Sequence, residues 1–153
     1  MLGGGSTMVE LAAHLTPAPG LQVLTPNPAA AVAAAAAGLE VELIGGRIER
    51  ERVVAGGALA AAQIAAARPD VLVLAPCALD AGGLTMHDRD EAELVRVAAG
   101  NAREVIAVAD AARVGTVAPW PALALDRVDL IVTDAPAAAS ARLAAAGPQV
   151  LRA

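Results

Sequence analysis

This sequence contains no lysine and a single aromatic residue. Phenylalanine and tyrosine do not occur, Trp120 is the only aromatic residue, and all eleven basic residues are arginines. These absences exclude a nucleic-acid module that stacks bases on aromatic side chains. The core must be built from valine, leucine, isoleucine and alanine, which suits close packing of helices on a sheet.

A basic face is also lacking. Sixteen acidic residues give a net charge of -5, and the densest arginine group, Arg47, Arg50 and Arg52, is interleaved with Glu49 and Glu51. Domains that bind a DNA duplex draw much of their affinity from neutralising phosphates. We therefore expect no DNA binding by this segment itself.

Cysteine is represented by Cys77 alone, so no intrachain disulfide and no paired-cysteine metal site is expected. The two histidines, His14 and His87, do not form a zinc pattern. The first residues do not resemble a signal peptide, and the apolar run at 28–38 is too short to cross a membrane. These observations predict a cytoplasmic protein with no metal and no membrane contact.

Short β-branched or leucine runs alternate with alanine-rich helical runs along the chain. Strands are predicted at 21–25, 39–44, 70–75, 104–109, 129–133 and 149–152, with helices at 6–15, 28–38, 58–67, 88–99 and 136–146. This order predicts an α/β fold, a doubly wound and mostly parallel sheet with helices on both faces. Segments 76–87 and 110–126 are expected to be irregular.

The length of 153 residues fits one domain, residues 1–153. The chain begins at Leu2 and Gly3, where a strand of the sheet should be ending, which favours a fragment of a longer protein.

Glycines and hydroxyl residues stand together at residues 3–7, between that short strand and the first helix. Glycine lets the backbone approach a ligand, and a helix amino terminus presents free N–H groups to an anion. Gly5, Ser6 and Thr7 are therefore candidates for a phosphate cradle. A tight turn with Ser6 or Thr7 as the helix cap is an equal alternative.

Thr25 and Asn27 follow the next strand, at the edge where parallel α/β sheets bind ligands. Asn27 before Pro28 is typical of a helix cap. That role leaves Thr25 free to contact a ligand.

A polar group follows the buried strand at 70–75. Asp80, Thr85 and Glu91 supply the hydroxyl donor and the carboxylate acceptors that a sugar needs. Structural roles compete with this interpretation, since Asp88 is well placed as a helix cap, with Glu91 at the third helical position.

Arg113 follows the strand at 104–109. A guanidinium group matches phosphate oxygens in a bidentate manner, although a surface salt bridge would also explain this residue. Asp134 follows the strand at 129–133 and is expected to cap the next helix.

Six motifs occur in order along almost the whole chain: GGGST (3–7), VLTPN (23–27), LIGG (43–46), GLTMHDRDEA (83–92), VIAVADAARVG (105–115) and VDLIVTD (128–134). Together they resemble the C-terminal sensor domain of DeoR-type transcriptional regulators. The resemblance implies the fold of ribose-5-phosphate isomerase and the coenzyme A transferases. It also implies a phosphorylated sugar as effector, and a DNA-binding winged helix-turn-helix that would precede the sensor and is not expected within this chain.

By position, the resemblance assigns the phosphate to Gly5, Ser6 and Thr7, with Thr25 beside it. Asp80, Thr85 and Glu91 would line the sugar pocket, and Arg113 stands where the family usually has lysine. The sequence departs from the family at Gly3, which replaces a common acid, at Arg113-Val114, and at Pro26.

The first hypothesis is therefore a sensor without catalytic residues or cofactors, assembled as a homo-oligomer. An alternative is a sugar-phosphate isomerase on the same fold, with Glu91 or Asp80 as the base. A third is an oligomerisation module without a ligand.

Overall fold

A computed structural model describes residues 1–48, 50 and 53–153. Glu49, Glu51 and Arg52 lie outside the described residues, so the arginine group at 47–52 is only partly described. The α-helices of the described residues are α1 (Ser6–His14), α2 (Pro28–Ala36), α3 (Gly57–Ala66), α4 (Arg89–Asn101) and α5 (Ala137–Ala144). None of these helices is long and apolar enough to span a bilayer.

The observed strands follow the predicted order, and several short strands that were not predicted are also present. They are β1 (Gln22–Thr25), β2 (Glu40–Leu43), β3 (Arg47–Ile48), β4 (Ala55–Gly56), β5 (Val71–Leu74), β6 (Ala78–Asp80), β7 (Gly83–Met86), β8 (Glu104–Val108), β9 (Trp120–Leu123), β10 (Leu130–Thr133) and β11 (Gln149–Arg152).

The first three residues join two parallel sheets into one. Strands β11, β10, β8 and β5 form one parallel sheet, and β1 and β2 form another. Between them, the N–H of Leu2 donates to Leu24 O at 2.9 Å, and the N–H of Val73 donates to Met1 O at 2.9 Å. The lateral order is therefore β2, β1, residues 1–3, β5, β8, β10 and β11. The predicted doubly wound parallel sheet is confirmed.

The helices are divided between the two faces of this sheet. Helices α1 and α2 pack through Met8, Ala12, Ala30 and Ala34 on what we term the α1 face. The opposite, α3 face carries α3, α4 and α5 with a larger core that includes Ile64, Leu72 and Ile131. Right-handed crossovers explain the division, because connections that run in opposite lateral directions lie on opposite faces.

Two segments expected to be irregular contain strands. Strands β6 and β7 form an antiparallel hairpin that adds β9 at its edge, a small sheet over the α3-face core. All four residues of β7 are buried, so the segment has no polar alternation to reveal it. Gly83 has φ of +133°, and a Cβ there would lie 2.3 Å from Leu123 O, so only glycine permits this pairing.

Candidate ligand-binding site

Gly5 turns the chain from the centre of the sheet into helix α1. It occupies the N-cap position with φ of 93° and ψ of 165°, a conformation that essentially only glycine adopts. No side chain caps the helix, so the expectation that Ser6 or Thr7 would be the cap is wrong; they are its first two residues. A Cβ on Gly5 would meet no heavy atom within 4 Å. No side chain caps the first turn of α1, so its N–H groups are the kind of donors that bind an anion.

Asn27 holds this turn from the next strand. Its Oδ1 accepts from Ala29 N at 3.0 Å and Ala30 N at 3.2 Å, which confirms the predicted cap of α2. Its Nδ2 donates to Gly5 O at 3.2 Å, a link that the sequence did not reveal. One side chain therefore fixes both the start of α2 and the turn before α1.

Thr25 lies below Asn27 and is fully buried. Its Oγ1 accepts from Asn27 N at 3.1 Å. Thr25 therefore helps to hold Asn27 in position through this hydrogen bond. Its side chain has no exposed surface that could contact a ligand.

Arg113 and Thr7 line the same cavity, about 210 Å³ in volume, at the carboxyl ends of β8 and β10. The Arg113 Nη1 donates to Pro76 O at 2.7 Å, and its Nε lies 3.5 Å from Asp110 Oδ2. These contacts hold the arginine in place, while about a third of its side chain remains exposed. The salt bridge considered as an alternative is present, and it leaves the guanidinium at the cavity.

Asp110 and Asp134 line this cavity as well, and neither was among the predicted site residues. The Asp134 Oδ1 accepts from Ala111 N at 2.6 Å, which ties the Arg113 loop to the end of β10. The expectation that Asp134 caps α5 is wrong, because Pro136 holds the N-cap position without a side-chain hydrogen bond. The position of each aspartate directly after a strand was the signal that could have identified both.

Glu91 lies beside the glycine turn, close to Gly4. A Cβ on Gly4 would be 3.6 Å from Glu91 Oε1 and 3.0 Å from Val54 Cγ2, so the absence of a side chain at Gly4 lets these elements meet. Glu91 also lines a cavity of about 40 Å³ with Asp88 and Asp90. Asp88 caps α4 through a 2.9 Å bond from Glu91 N to its Oδ1, as predicted.

Asp80 and Thr85 belong to the small antiparallel sheet and line neither of these cavities. The Asp80 Oδ1 accepts from Gly82 N at 2.8 Å inside the hairpin turn. The Thr85 Oγ1 is buried and accepts from Ala118 N at 2.7 Å. The structure therefore does not bring these two residues together with Thr7 and Arg113.

A larger cavity, about 460 Å³, opens at the amino edge of the sheet between β1 and β5. Its charged lining residues are Arg68, Asp70, Glu40 and Glu42, together with the Met1 amino group. That amino group donates to Val71 O at 2.6 Å. Burial lowers the pKa of the Met1 amino group, and the charge of Asp70 partly opposes this shift. None of the predicted site residues lies at this edge.

The geometry thus assembles one end of a site from Thr7, in the first turn of the uncapped helix α1, and Arg113, with Asp110 and Asp134 in the same lining. Such donors can bind an anion, and the two carboxylates can accept hydrogen bonds from hydroxyl groups. Within the described residues, no group of three or more His, Cys, Asp or Glu side chains is arranged to hold a metal ion.

Comparison with known proteins agrees with this fold. Residues 1–135 match the family model described as the DeoR C terminal sensor domain. The HTH-type transcriptional repressor GlcR of Bacillus subtilis (strain 168) is 25% identical over 97 residues, which cover 63% of this chain and 38% of that repressor. The matched part thus corresponds to less than half of the length of this relative. Since the family model spans most of the 153 residues, the chain belongs to the family of DeoR C-terminal sensor domains.

Proposed function

We propose that this domain senses a phosphorylated sugar or sugar metabolite at the carboxyl edge of its sheet. One observation carries the proposal: Thr7, in the first turn of the uncapped helix α1, and Arg113 line the same cavity. A phosphate is the group that uses both at once, because the helix offers N–H donors and arginine offers a charged fork.

The sugar part of the ligand is assigned to the carboxylates around the same cavity. Asp110 and Asp134 are exposed at its rim and already have one oxygen each engaged with a backbone N–H, which orients the carboxylates. An ionised carboxylate accepts several hydrogen bonds, so each retains acceptors for sugar hydroxyls.

The role proposed for binding is regulatory. A ligand changes the activity of a longer regulator only if it binds two conformations with different affinity, and it then shifts the population toward one of them. The turn at residues 3–5 connects the phosphate donors with the centre of the sheet. We therefore assign to ligand binding the effect of holding this turn in one conformation. An attached helix-turn-helix that binds DNA completes the proposal.

A sensor fits the site better than an isomerase. Of the two carboxylates considered as bases, Asp80 accepts a hydrogen bond from Gly82 inside the hairpin turn, and Glu91 lines a different cavity from Arg113. The carboxylates nearest to Arg113 instead bond backbone N–H groups of the loop that carries it.

Thermal unfolding with a panel of sugar phosphates, their parent sugars and inorganic phosphate tests the proposal. A ligand at about 100 times its dissociation constant should stabilise the fold by about 2.7 kcal/mol. For a domain of this size, each kcal/mol raises Tm by roughly 2–4 °C. We expect the rise with one phosphorylated sugar and not with its parent sugar.

The matched variants are Arg113→Ala and Arg68→Ala, two arginines at opposite edges of the sheet. Loss of a hydrogen bond to a charged group costs about 1.5–3 kcal/mol, so Arg113→Ala should weaken binding roughly tenfold or more. Arg68→Ala should bind as the wild type does. Equal affinity in all three proteins, or no shift with any phosphorylated compound, would reject the assignment.

A further inference from the structure

The end of β10 forms part of the wall of the cavity that Arg113 lines. Thr133 and Asp134 both belong to this wall. The Asp134 Oδ1 accepts from Ala111 N at 2.6 Å, in the loop that carries Arg113. The position of Asp134, and its hold on this loop, therefore depend on how firmly the backbone next to it is fixed.

The next residue, Ala135, is held through both of its backbone polar groups. Its N–H donates to Thr133 Oγ1 at 3.1 Å. Its carbonyl oxygen accepts from Ser140 Oγ at 3.2 Å and from Arg152 Nε at 3.2 Å. Ala135 is fully buried, so these side chains supply the hydrogen bonds that water would otherwise make.

The two donors to this carbonyl come from different parts of the fold. Ser140 lies in α5, five positions after Ala135, so its bond is local to the start of that helix. Arg152 lies in β11, which pairs with β10 at the edge of the sheet. The bond of the arginine spans 17 positions and therefore joins a separate strand to the turn after β10.

The register of β10 and β11 brings Arg152 to this turn. Arg152 is the register partner of Thr133, and paired residues of neighbouring strands point to the same face of a sheet. In this register the N–H of Ala153 donates to Thr133 O at 3.0 Å, and Ala153 itself lines the cavity. The end of β11 thus reaches the site directly through Ala153 and indirectly through Arg152.

We propose that Arg152 is a positioning residue for the ligand site. Its bond to Ala135 O fixes the turn that carries Asp134. Asp134 in turn holds the loop of Arg113, the residue to which we assign the phosphate. A charged donor suits this role, because hydrogen bonds with an ionised partner are roughly twice as strong as neutral ones. This inference rests on the proposed function, because the cavity is the proposed ligand site.

The arrangement couples the edge of the sheet to the ligand. Loosening β11 from β10 withdraws Arg152 from the turn, which lowers the order of the loop that binds the phosphate. Coupling between two sites is reciprocal, so a bound ligand in turn favours the docked position of β11. The edge strand is therefore part of the ligand-responsive structure, although most of it lies outside the cavity.

Hydrogen exchange of the ligand-free chain, followed by NMR, tests the structural step. Arg152→Met keeps an aliphatic stem and removes the N–H donors. The Ala111 N–H, which donates to Asp134, should then exchange roughly tenfold faster, since loss of one charge-assisted hydrogen bond shifts a local equilibrium by about that factor. The matched amide is Val105 N–H, which donates to Asp129 Oδ2 at 2.7 Å near the amino end of β8 and should exchange as in the wild type.

Two further variants separate the donor from the general effect of losing an arginine. Arg142→Met removes an arginine whose Nε also donates to a backbone carbonyl, that of Ala138 at 3.4 Å within α5. Exchange of the Ala111 N–H should stay at the wild-type rate in this variant. Arg152→Lys keeps a charged donor on a long stem and should restore most of the protection.

Titration with inorganic phosphate, followed through the Thr7 N–H, tests the functional step. Arg152→Met should weaken phosphate binding roughly threefold or more, in the range by which a residue outside a ligand site changes its affinity. Arg142→Met should bind phosphate as the wild type does.

Equal exchange of the Ala111 N–H in the wild type and Arg152→Met would overturn the inference. So would an equal acceleration of the Val105 N–H, the same effect in Arg142→Met, no recovery in Arg152→Lys, or faster exchange with unchanged phosphate affinity. If phosphate binds to none of the proteins, the proposed function loses its support, while the exchange rates still decide whether Arg152 holds the turn.

Discussion

The two edges of the central sheet carry cavities that differ in volume and in the helix termini around them. The cavity at the amino edge, about 460 Å³, has roughly twice the volume of the one at the carboxyl edge, about 210 Å³. The amino edge carries Glu40, Glu42 and Asp70 with Arg68 and the Met1 amino group, and it lies on the side where the helices end. The carboxyl edge carries the amino terminus of α1 and Arg113, together with two aspartates.

This difference shows why volume does not identify the site. Helix carboxyl termini carry partial negative charge and helix amino termini carry partial positive charge, so the two edges of a parallel α/β sheet have opposite polarity. The charged side chains do not add to this difference, because carboxylates outnumber cationic groups in the lining of both cavities. The helix termini therefore favour an anion in the smaller cavity, and substitutions at the two edges should differ in their effect on ligand binding.

The largest effect is expected at Gly5. Substitution by alanine should destabilise the fold by about 1–3 kcal/mol, because the backbone conformation is nearly forbidden to other residues while the space for a Cβ is open. It should also weaken phosphate-ligand binding, since relaxing the turn moves the first N–H groups of α1. Chemical denaturation and ligand titration measure the two effects.

Gly20→Ala is the matched control, at the amino edge. Gly20 also has a positive φ, 78°, and a Cβ on it would meet no heavy atom within 4 Å. Its substitution should lower stability and leave ligand affinity unchanged. If both variants lose affinity to the same degree, the turn at Gly5 has no special relation to the ligand.

A smaller effect is expected at Asn27. Asn27→Ala should cost about 1 kcal/mol of stability, because two N–H groups of α2 lose their cap. It should also lower ligand affinity, since Gly5 O loses its side-chain donor. Asn27→Ser keeps a cap and removes only that donor, so it should restore most of the stability but not the affinity. Full affinity in Asn27→Ser would show that the bond to Gly5 has no influence on the site.

The smallest effect concerns the amino edge and pH. Burial lowers the pKa of the Met1 amino group in the folded state, so the folded protein loses this proton before the unfolded chain does. As pH rises from the folded-state pKa toward about 8, the unfolded chain binds more protons and the free energy of unfolding should increase. Acetylation of Met1 removes this group, so the difference between the two forms should vary with pH in that window. An identical pH dependence with and without acetylation would contradict the prediction.

The order of helices and strands was largely predictable from the sequence because two local signals are strong. Runs such as 71–74 are apolar without interruption, and Asn27, Gly38 and Asp88 mark helix ends through side-chain caps or a positive φ. The short strands β6, β7 and β9 were not predicted. Strands β6 and β7 form a local hairpin, but β7 is buried throughout and shows no polar alternation, and β9 pairs with β7 from a distant part of the chain.

The candidate site was predictable only in part. Strand ends pointed to Thr7 and Arg113, which do line one cavity. They pointed equally to Asp80 and Thr85, which the hairpin carries elsewhere, and to Thr25, which is buried. The position of a residue after a strand predicts that it lies at an edge of the sheet, but not the direction of its side chain. The ligand-binding role of each residue remains a prediction.

The sequence by itself determined the alternation of elements, the alanine-rich packing and the glycine turn, since each depends on residues close together in the chain. Tertiary structure alone decided which polar side chains meet at the carboxyl edge, how Asn27 holds Gly5, and where β9 joins the small antiparallel sheet. These outcomes follow from lateral strand order and crossover direction, which join residues separated by many positions and therefore leave no local pattern.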